Sequence, residues 1–370
     1  MMNPGESDQT AQEHTAKLPA TSLIARLAAI GFVLVGIVGS FAYVGGWLTP
    51  QALTPIRFID RFEQGNGLHP GFRRNHAKGL CFNGWFDSNG QGTALSRAVV
   101  FRHGRVPVIG RFSLSGGRPY VADAAGSVRG LAILFELPGG EEWRTAMINL
   151  PVFPFATPGA FYDQMLALAP NPATGKPDPA KVQAFLAKYP ESAKALQLIR
   201  EQPISSGFEN STFNSLNAFQ FINAAGAVAS VRWSMVPLQS FEPTAAAHPD
   251  QTGTNFLFDA LIAEVHRRPL QWHLIITVAQ PSDPAHDATI PWPPDRRRVD
   301  VGTLTINRVE SDDTSPGRYI NFDPLVLPNG MAASDDPLLS ARSAVYMRSF
   351  TLREGERKNP GAISPAEAGK

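Results

Sequence analysis

The chain is 370 residues long and carries 33 Lys and Arg against 32 Asp and Glu, a formal net charge of +1. This balance gives no electrostatic basis for nucleic-acid binding. The hydrophobic content of 43% excludes a chain that is disordered throughout. A single cysteine, Cys81, excludes an internal disulfide framework and a thiolate metal cage, so we expect a metal or redox centre to use other ligands.

An uncharged run near the N-terminus covers residues 27–47 and follows Arg26. At about 1.5 Å per residue, its length matches the hydrocarbon core of a membrane. Tyr43 and Trp47 stand where interfacial aromatic residues are found. We predict a transmembrane helix as an anchor, preceded by a disordered tail over residues 1–20. A cleaved signal peptide is the alternative, because a basic residue followed by an apolar run is also typical of secretory signals.

The charges that flank this run carry a weak orientation signal. Lys17 and Arg26 precede the run, and Arg57 and Arg61 follow it. Because Arg26 directly adjoins the apolar residues, we expect an inside N-terminus and an exported main domain. The predicted location is the periplasmic side of a bacterial inner membrane, or the periplasm itself after signal cleavage.

The predicted domain over residues 51–355 contains short apolar runs bounded by Gly and Pro, together with amphipathic segments. The apolar runs predict strands at 105–112, 131–135, 219–222, 228–236, 270–278 and 301–309. The amphipathic segments predict helices over 177–201 with a break near Pro190, over 256–265 and over 337–353. This pattern indicates one α+β domain with a mainly antiparallel sheet, a long surface loop over 282–299 and a disordered C-terminal tail over 356–370.

Two segments hold residue types that redox chemistry uses, namely Gly-Phe-Arg-Arg-Asn-His-Ala-Lys-Gly at 71–79 and Asp-Pro-Leu-Leu-Ser-Ala-Arg-Ser-Ala-Val-Tyr at 336–346. Here the chain resembles the haem catalase superfamily, and further motifs follow in the same order at 107–113, 129–130, 151–153, 190–192, 219–226 and 322–330. The chain is shorter than a full-size catalase and is most similar to the minimal catalase-related peroxidases. The resemblance implies an antiparallel β-barrel with surrounding helices.

The proximal side of the implied haem site depends on the helix at 337–353. Haem iron needs an axial ligand, and the single cysteine leaves His, Met or Tyr as candidates. Arg342 and Tyr346 are four residues apart and share one helix face, so the guanidinium favours the phenolate form of the tyrosine. The resemblance implies that Tyr346 is the iron ligand of haem b and that Asp336 supports the proximal arginine.

The resemblance also assigns the distal side and the haem carboxylates. One neutral histidine can take the first proton from a peroxide and return it to the leaving oxygen. The implied roles are a distal acid–base at His76, a hydrogen bond to it from Ser113, aromatic packing on the distal haem face by Phe161, and propionate binding by Arg73, Arg111 and Arg353.

Three departures from the catalase pattern lie in the distal region. The position at which catalases carry an asparagine is Ile148 here, and Asn149 follows one residue later. Because a shift of one residue reverses the face of a strand, we expect Asn149 to point away from the pocket. Asn75 precedes the distal histidine where catalases carry valine, and Ser127 replaces the acidic residue of their access channel. We hypothesise that Asn75 partly replaces the missing amide.

These departures weaken the features associated with rapid dismutation of hydrogen peroxide. We therefore predict a haem-dependent peroxidase that reduces hydrogen peroxide or organic hydroperoxides with an external electron donor and has weak catalase activity. One alternative is a haem isomerase or lyase that acts on fatty-acid hydroperoxides, and another is a non-catalytic haem-binding protein. The expected partners are a peroxide, an unknown donor and the membrane, with no nucleic acid, in a monomer or small homo-oligomer.

Overall fold

The structure is a computed structural model that describes residues 20–44, 48, 52–244 and 253–365. The chain divides between Thr54 and Pro55 into two compact units. The division lies close to the predicted domain start at residue 51.

The N-terminal unit contains helix α1 (Ala20–Val44). Within its stretch Thr21–Val44, an 18-residue window has a mean hydropathy of 2.3, and the stretch is long and apolar enough to cross a membrane. The predicted anchor over 27–47 begins inside this helix, which extends towards the N-terminus past Arg26. Residues 1–19 of the predicted tail, together with Trp47, lie outside the described residues.

Of the six α-helices described in the second unit, all but one begin at a proline. They are α2 (Pro55–Asn66), α3 (Pro158–Ala167), α4 (Pro179–Lys188), α5 (Pro190–Glu201), α6 (Phe256–Arg267) and α7 (Pro337–Gly355). A proline at the first helical position has no N–H group to leave unpaired. The preceding Thr157, Asp178 and Asp336 each accept a hydrogen bond from a backbone N–H in the first turn of their helix.

The strands form an antiparallel β-barrel. They are β1 (Gly79–Ser88), β2 (Gly104–Leu114), β3 (Arg129–Glu136), β4 (Glu142–Ile148), β5 (Phe213–Asn214), β6 (Phe219–Ile222), β7 (Val228–Pro237), β8 (Leu270–Val278), β9 (Arg298–Glu310) and β10 (Met331–Ala333). Within the described residues, eight of them close in the order β1-β2-β3-β4-β5-β7-β8-β9, and β9 pairs with β1. Strand β6 extends the sheet from β7 and pairs with β10. The predicted fold, a catalase-like barrel with surrounding helices, is confirmed.

Aromatic side chains fill the hydrophobic core. Trp143, Trp233 and Trp272 are at most 1% exposed, and the Trp143 ring stacks on Phe135 with 4.5 Å between centroids. The indole of Trp233 donates a hydrogen bond to Thr145 Oγ1 at 3.0 Å, which satisfies its polar group inside the core. Burial of each such ring stabilises the fold by roughly 1.5–3 kcal/mol.

Most elements predicted from the sequence are present. Each apolar run lies within a strand, and β6 and β8 have the predicted bounds. The break at Pro190 separates α4 from α5, as predicted. The apolar runs did not predict β4, whose buried residues alternate with partly exposed ones, and periodicity did not predict α2 or α3.

The two segments without predicted regular structure behave differently. The loop between β8 and β9 matches the prediction over 282–297, and the buried ion pair between Arg296 and Asp283 holds it at 2.7 Å. The C-terminal tail prediction does not hold over residues 356–365. Glu356 pairs there with Arg74, because the buried guanidinium needs a carboxylate partner. Ile363 is only 2% exposed.

Candidate functional site

A cavity of about 500 Å³ is lined by strands β2, β3 and β4 and helices α2, α3 and α7. Its volume lies within the roughly 300–1,000 Å³ of ligand pockets. Every predicted site residue lines it, namely Arg73, Asn75, His76, Arg111, Ser113, Phe161, Arg342, Tyr346 and Arg353. Residues that are 280 positions apart in the chain therefore meet in one place.

His76 precedes β1 and has a φ of +57°, in the left-handed region. Its Nδ1 lies 3.0 Å from Ser113 Oγ. Ser113 pairs with Gly130 across β2 and β3, and a Cβ at Gly130 would lie 2.8 Å from Ser113 Oγ and 3.1 Å from His76 Nδ1. The glycine thus leaves the space in which this histidine–serine hydrogen bond forms.

The imidazole of His76 is neutral at physiological pH. Withdrawal from solvent lowers its pKa to about 3, and the positive charges of Arg111, Arg342 and Arg73 add to the effect. A neutral ring has one N–H donor and one nitrogen acceptor. Since Nδ1 is engaged by Ser113, Nε2 is the nitrogen left for a ligand in the cavity.

The orientation of the Asn75 amide follows from two hydrogen bonds. Its Oδ1 accepts from the backbone N–H of His76 at 3.0 Å and from that of Gly116 at 2.7 Å. Because both partners are donors, the atom that they contact must be the oxygen. The Nδ2 group is therefore the end of this cavity-lining amide that is left as a donor.

The shifted asparagine of β4 points away from the cavity, as predicted. Ile148 lines the cavity, whereas the side chain of Asn149 accepts a hydrogen bond from the backbone N–H of Arg129 at 2.8 Å. The β3–β4 register continues to the Gly130–Ile148 pair without a bulge. An apolar side chain thus occupies the wall position at which an amide was expected from the catalase pattern.

A chain of hydrogen bonds runs along the proximal side. Asp336 Oδ1 caps helix α7 by accepting from Leu338 N at 2.9 Å, and its Oδ2 accepts from Asn217 Nδ2 at 2.8 Å. Burial raises the pKa of Asp336, although these hydrogen bonds oppose the rise. The other side of the Asn217 amide, Oδ1, accepts a hydrogen bond from Arg342.

The same chain ends at Tyr346. Arg342 Nη2 lies 3.4 Å from the Tyr346 hydroxyl and donates to the carbonyl of Ala146 on β4 at 3.1 Å. The predicted pair one helical turn apart is therefore in contact, and the barrel wall holds the guanidinium from behind. This arrangement directs positive charge at the phenol oxygen.

Positive charge concentrates at another edge of the cavity. Arg73 donates to the backbone carbonyls of Gly317 and Ile320 at 3.1 and 3.0 Å, and Arg353 donates to that of Arg318. Burial lowers the pKa of Arg353 to about 10, with a further contribution from the nearby Arg111. Burial and the charges of Arg353 and Arg111 likewise lower the pKa of Arg73.

One carboxylate offsets part of this charge. Arg111 forms a bidentate ion pair with Asp312, with Nη2–Oδ2 at 2.7 Å, and both residues are at most 6% exposed. Although burial lowers the pKa of Arg111, Asp312 raises it by more. Of the guanidinium groups of Arg73, Arg111 and Arg353, only that of Arg111 forms an ion pair with a described carboxylate. Those of Arg73 and Arg353 have no direct anionic partner among the described residues.

Phe161 on α3 belongs to an aromatic wall of the cavity. Its ring stacks on Phe155 with 5.0 Å between centroids and an interplanar angle of 13°. Phe58, Phe62 and Phe153 contact the same ring from other sides. This wall is apolar and offers flat surfaces to a planar ligand.

Comparisons with known proteins agree with this site. The family model described as Catalase matches residues 49–360. A catalase-related peroxidase from Synechococcus elongatus is 39% identical over 335 residues, which cover 90% of this chain and 95% of that protein. A catalase-related peroxidase from Mycolicibacterium paratuberculosis is 32% identical over 314 residues, which cover 85% of this chain and 98% of that protein. The chain belongs to the catalase family.

Solved catalase structures share the fold. A fungal catalase aligns with a TM-score of 0.68 at 22% identity, covering 78% of this chain and 60% of that chain. Catalase A from Saccharomyces cerevisiae aligns with a TM-score of 0.68 at 21% identity, covering 80% of this chain and 64% of that chain. The chain thus covers less than two thirds of these larger catalases.

Membership of the catalase family makes this protein a haem-dependent oxidoreductase that acts on peroxide. The cavity residues fit a haem. Arg353 Nε is buried with no hydrogen-bond partner among the described residues. The two guanidinium groups without a direct anionic partner there, those of Arg73 and Arg353, match the two carboxylates of haem. Tyr346 would offer its phenol oxygen to the iron, and the aromatic wall suits a planar macrocycle.

Sequence reasoning missed two buried residues of the site, Asn217 and Asp312. Asn217 links Asp336 to Arg342, and Asp312 binds Arg111. Neither lies in a motif with recognisable spacing, since their partners are 119 and 201 residues away in the chain. The only available signal was the requirement that buried arginines have polar partners.

Proposed function

We propose that this protein is a haem b-dependent peroxidase that reduces hydrogen peroxide or organic hydroperoxides with an external electron donor and has weak catalase activity. The observation that carries the proposal is the neutral His76, whose Nδ1 contacts Ser113 in the cavity that also contains the Arg342–Tyr346 pair. Each turnover converts one peroxide and two donated hydrogen atoms into an alcohol or water and a further water.

His76 moves the protons in this reaction. Its free ring nitrogen takes the proton of the peroxide and later gives it to the departing oxygen, which a neutral imidazole can do at physiological pH. When bound, haem supplies electrons for cleavage of the O–O bond. Ser113 fixes the ring orientation, and Arg342 directs its guanidinium group at the Tyr346 hydroxyl, the atom that would bind the iron.

We assign to Asn75 the donor role of the amide that Ile148 lacks. Its Oδ1 is anchored by two backbone N–H groups, so Nδ2 is directed by the fold and not by a ligand. Asn75→Asp keeps the acceptor oxygen and loses the donor, whereas Asn75→Leu loses both. The donor role requires that both variants react with peroxide more slowly than the wild type; an unaltered rate in Asn75→Asp would exclude it.

The peroxidase assignment is tested on the solubilised full-length protein with its haem. We expect a Soret band with ferric charge-transfer bands typical of a tyrosinate ligand. Addition of hydrogen peroxide should oxidise a chromogenic donor rapidly and release little oxygen in its absence. Oxygen release at the rate of a full catalase would contradict the proposal.

The aromatic wall favours one second candidate, a haem isomerase or lyase of fatty-acid hydroperoxides. Phe58, Phe62, Phe153, Phe155 and Phe161 give the cavity an apolar lining that suits a long acyl chain. Such an enzyme rearranges the hydroperoxide without a reductant. Product analysis with a lipid hydroperoxide, with and without a donor, separates it from the peroxidase.

We further propose that α1 anchors the protein in the membrane, with the catalase domain in the periplasm. The supporting observations are the apolar length of Thr21–Val44 and the position of Arg26. Membrane fractionation tests the anchor, and protease treatment of spheroplasts tests the side. Recovery of a shortened, soluble protein would instead indicate a cleaved signal peptide.

A further inference from the structure

The main chain at His76 is held in an unfavourable conformation from both sides. A left-handed φ is unfavourable for a non-glycine residue and persists only when neighbouring groups impose it. On the N-terminal side, Asn75 Oδ1 accepts from His76 N at 3.0 Å. On the C-terminal side, Arg111 donates to the carbonyls of His76 at 2.7 Å and Ala77 at 2.9 Å.

Arg111 in turn is held by Asp312. Its Nε lies 3.0 Å from Asp312 Oδ1, and its Nη2 lies 2.7 Å from Oδ2. The space for the guanidinium depends on Gly79, because a Cβ at that position would lie 2.3 Å from Arg111 Cζ. Of the five N–H groups of Arg111, these contacts with carboxylate and carbonyl oxygens use four.

We propose that Asp312 is a positioning residue for the distal histidine and acts on it through Arg111. Its carboxylate keeps the guanidinium against the His76 and Ala77 carbonyls and so fixes the left-handed backbone that directs the imidazole into the cavity. Without this carboxylate, Arg111 turns towards an anion in the cavity and releases the His76 carbonyl. The inference rests on the proposed function, in which His76 is the acid–base.

Arg111 can hold the protein backbone and bind a haem carboxylate at the same time. One remaining N–H group is available to a haem carboxylate, while the other four hold the protein. Cys81 completes the buried cluster, since its Sγ donates to Asp312 Oδ1 at 3.1 Å and burial raises the pKa of its thiol. Removal of the thiol leaves the Arg111–Asp312 pair in place.

The test compares Asp312→Asn with two matched variants in the full-length, haem-loaded protein. Asp313→Asn removes the adjacent carboxylate, which pairs with Arg318 and not with Arg111. Cys81→Ala removes one hydrogen bond to Asp312 but leaves both charged groups of the ion pair. Haem content is measured from the Soret band, and the rates of reaction with peroxide and of association with cyanide are measured from pH 5 to pH 8. Hydrogen cyanide also needs a base to accept its proton on binding.

We expect Asp312→Asn to retain haem while both rates fall roughly 10–100-fold, the usual cost of removing a supporting partner. Asp313→Asn and Cys81→Ala should remain within about twofold of the wild type. Wild-type rates in Asp312→Asn, or a loss of haem that accounts for the whole decrease, overturn the inference. If Asp312→Asn does not fold, Asp312→Glu replaces it, and its displaced carboxylate must slow both rates at full haem content; otherwise the inference fails.

His76→Gln separates this inference from the proposed function. If His76→Gln reacts with peroxide as fast as the wild type, the histidine is not the acid–base, and the proposed function fails. If His76→Gln is slow but Asp312→Asn is fast, only the positioning role of Asp312 fails.

Discussion

The proximal and distal sides of the cavity are built in different ways. On the proximal side, Arg342 and Tyr346 lie on one helix, and their contact follows from a separation of four residues. On the distal side, His76 comes from a left-handed turn, Ser113 from β2 and Gly130 from β3. The proximal pair thus depends on local helix geometry, whereas the distal constellation depends on strand register and on side chains that hold the backbone.

This difference has a consequence for the tolerance of each side to substitution. A helix keeps its i, i+4 geometry when one neighbour changes, so the proximal pair depends mainly on its own two side chains. The left-handed backbone at His76 has no such regular support and relies on Asn75 and Arg111. We therefore expect changes among supporting residues to affect the distal side more than the proximal side.

The largest effect is expected for Tyr346→Phe, which removes the phenol oxygen proposed as the iron ligand. We expect loss of the tyrosinate charge-transfer bands and at least a roughly 100-fold decrease in haem affinity and peroxidase rate. Absorption spectra during haem titration measure the change. Tyr319→Phe, at a residue that is 51% exposed, serves as the control. If Tyr346→Phe retained the tyrosinate bands, Tyr346 would not be the iron ligand, and the comparison of the two sides would lose its proximal side.

The next effect is expected for His76→Gln, which removes the acid–base but keeps a polar side chain. The rate of reaction with peroxide should fall by roughly 10²–10⁴-fold, the usual contribution of general acid–base catalysis. Haem content should be unchanged, since Tyr346 and the arginines remain. Stopped-flow mixing with hydrogen peroxide gives the rate, and His103→Gln, at an exposed histidine, is the matched control.

A smaller effect is expected for Asn217→Leu, which breaks the proximal chain between Asp336 and Arg342. The change leaves a buried carboxylate and a guanidinium without their shared partner. We expect a shift of the charge-transfer bands, a decrease of about tenfold in the peroxidase rate and a loss of about 1–3 kcal/mol in the free energy of unfolding. Asn329→Leu, at an exposed asparagine, should show none of these. A larger rate effect than that of Asp312→Asn would reverse the expected order of the two sides.

The smallest effect is expected in the pH dependence of the free energy of unfolding. The pKa of His76 is lowered from 6.5 to about 3, so the folded state binds fewer protons than the unfolded state between these values. The free energy of unfolding is therefore not reduced by this group above pH 6.5. It decreases as the pH falls from 6.5 towards 3, because the unfolded state gains a proton that the folded state does not bind. Between pH 7 and pH 5, wild type should lose about 2 kcal/mol more of its free energy of unfolding than His76→Gln. Urea unfolding at both pH values measures this difference, and equal losses would show that the imidazole is not kept neutral by the fold.

Local patterns predicted much of this fold. The bounds of β6 and β8, the break at Pro190 and the helix that contains Arg342 and Tyr346 follow from apolar periodicity and proline placement. The one-residue shift between Ile148 and Asn149 also predicted which side chain faces the cavity, because strand faces alternate. The catalase motifs predicted the members of the cavity wall, whose catalytic roles remain predictions.

Other features could not be derived from the sequence. The tail prediction over 356–370 was wrong for residues 356–365. Nothing in this polar segment indicates that Glu356 pairs with the buried Arg74. The left-handed φ of His76 likewise has no local signature, because histidine seldom adopts it. Both depend on contacts between residues that are distant in the chain.

The sequence by itself determined the motifs that resemble those of catalases, the proximal helix pair and the apolar N-terminal helix. The motifs follow from the order of residues along the chain, and the other two features follow from composition or from spacing within a few residues. Only the tertiary structure decided that Asp312 holds Arg111 and that Asn217 joins Asp336 to Arg342. Buried charges must find partners wherever the fold brings them, and barrel closure, not sequence separation, sets which carboxylates and amides are within reach. The single cysteine illustrates both levels, since its count excluded a cage of several thiolates and the fold placed it beside Asp312.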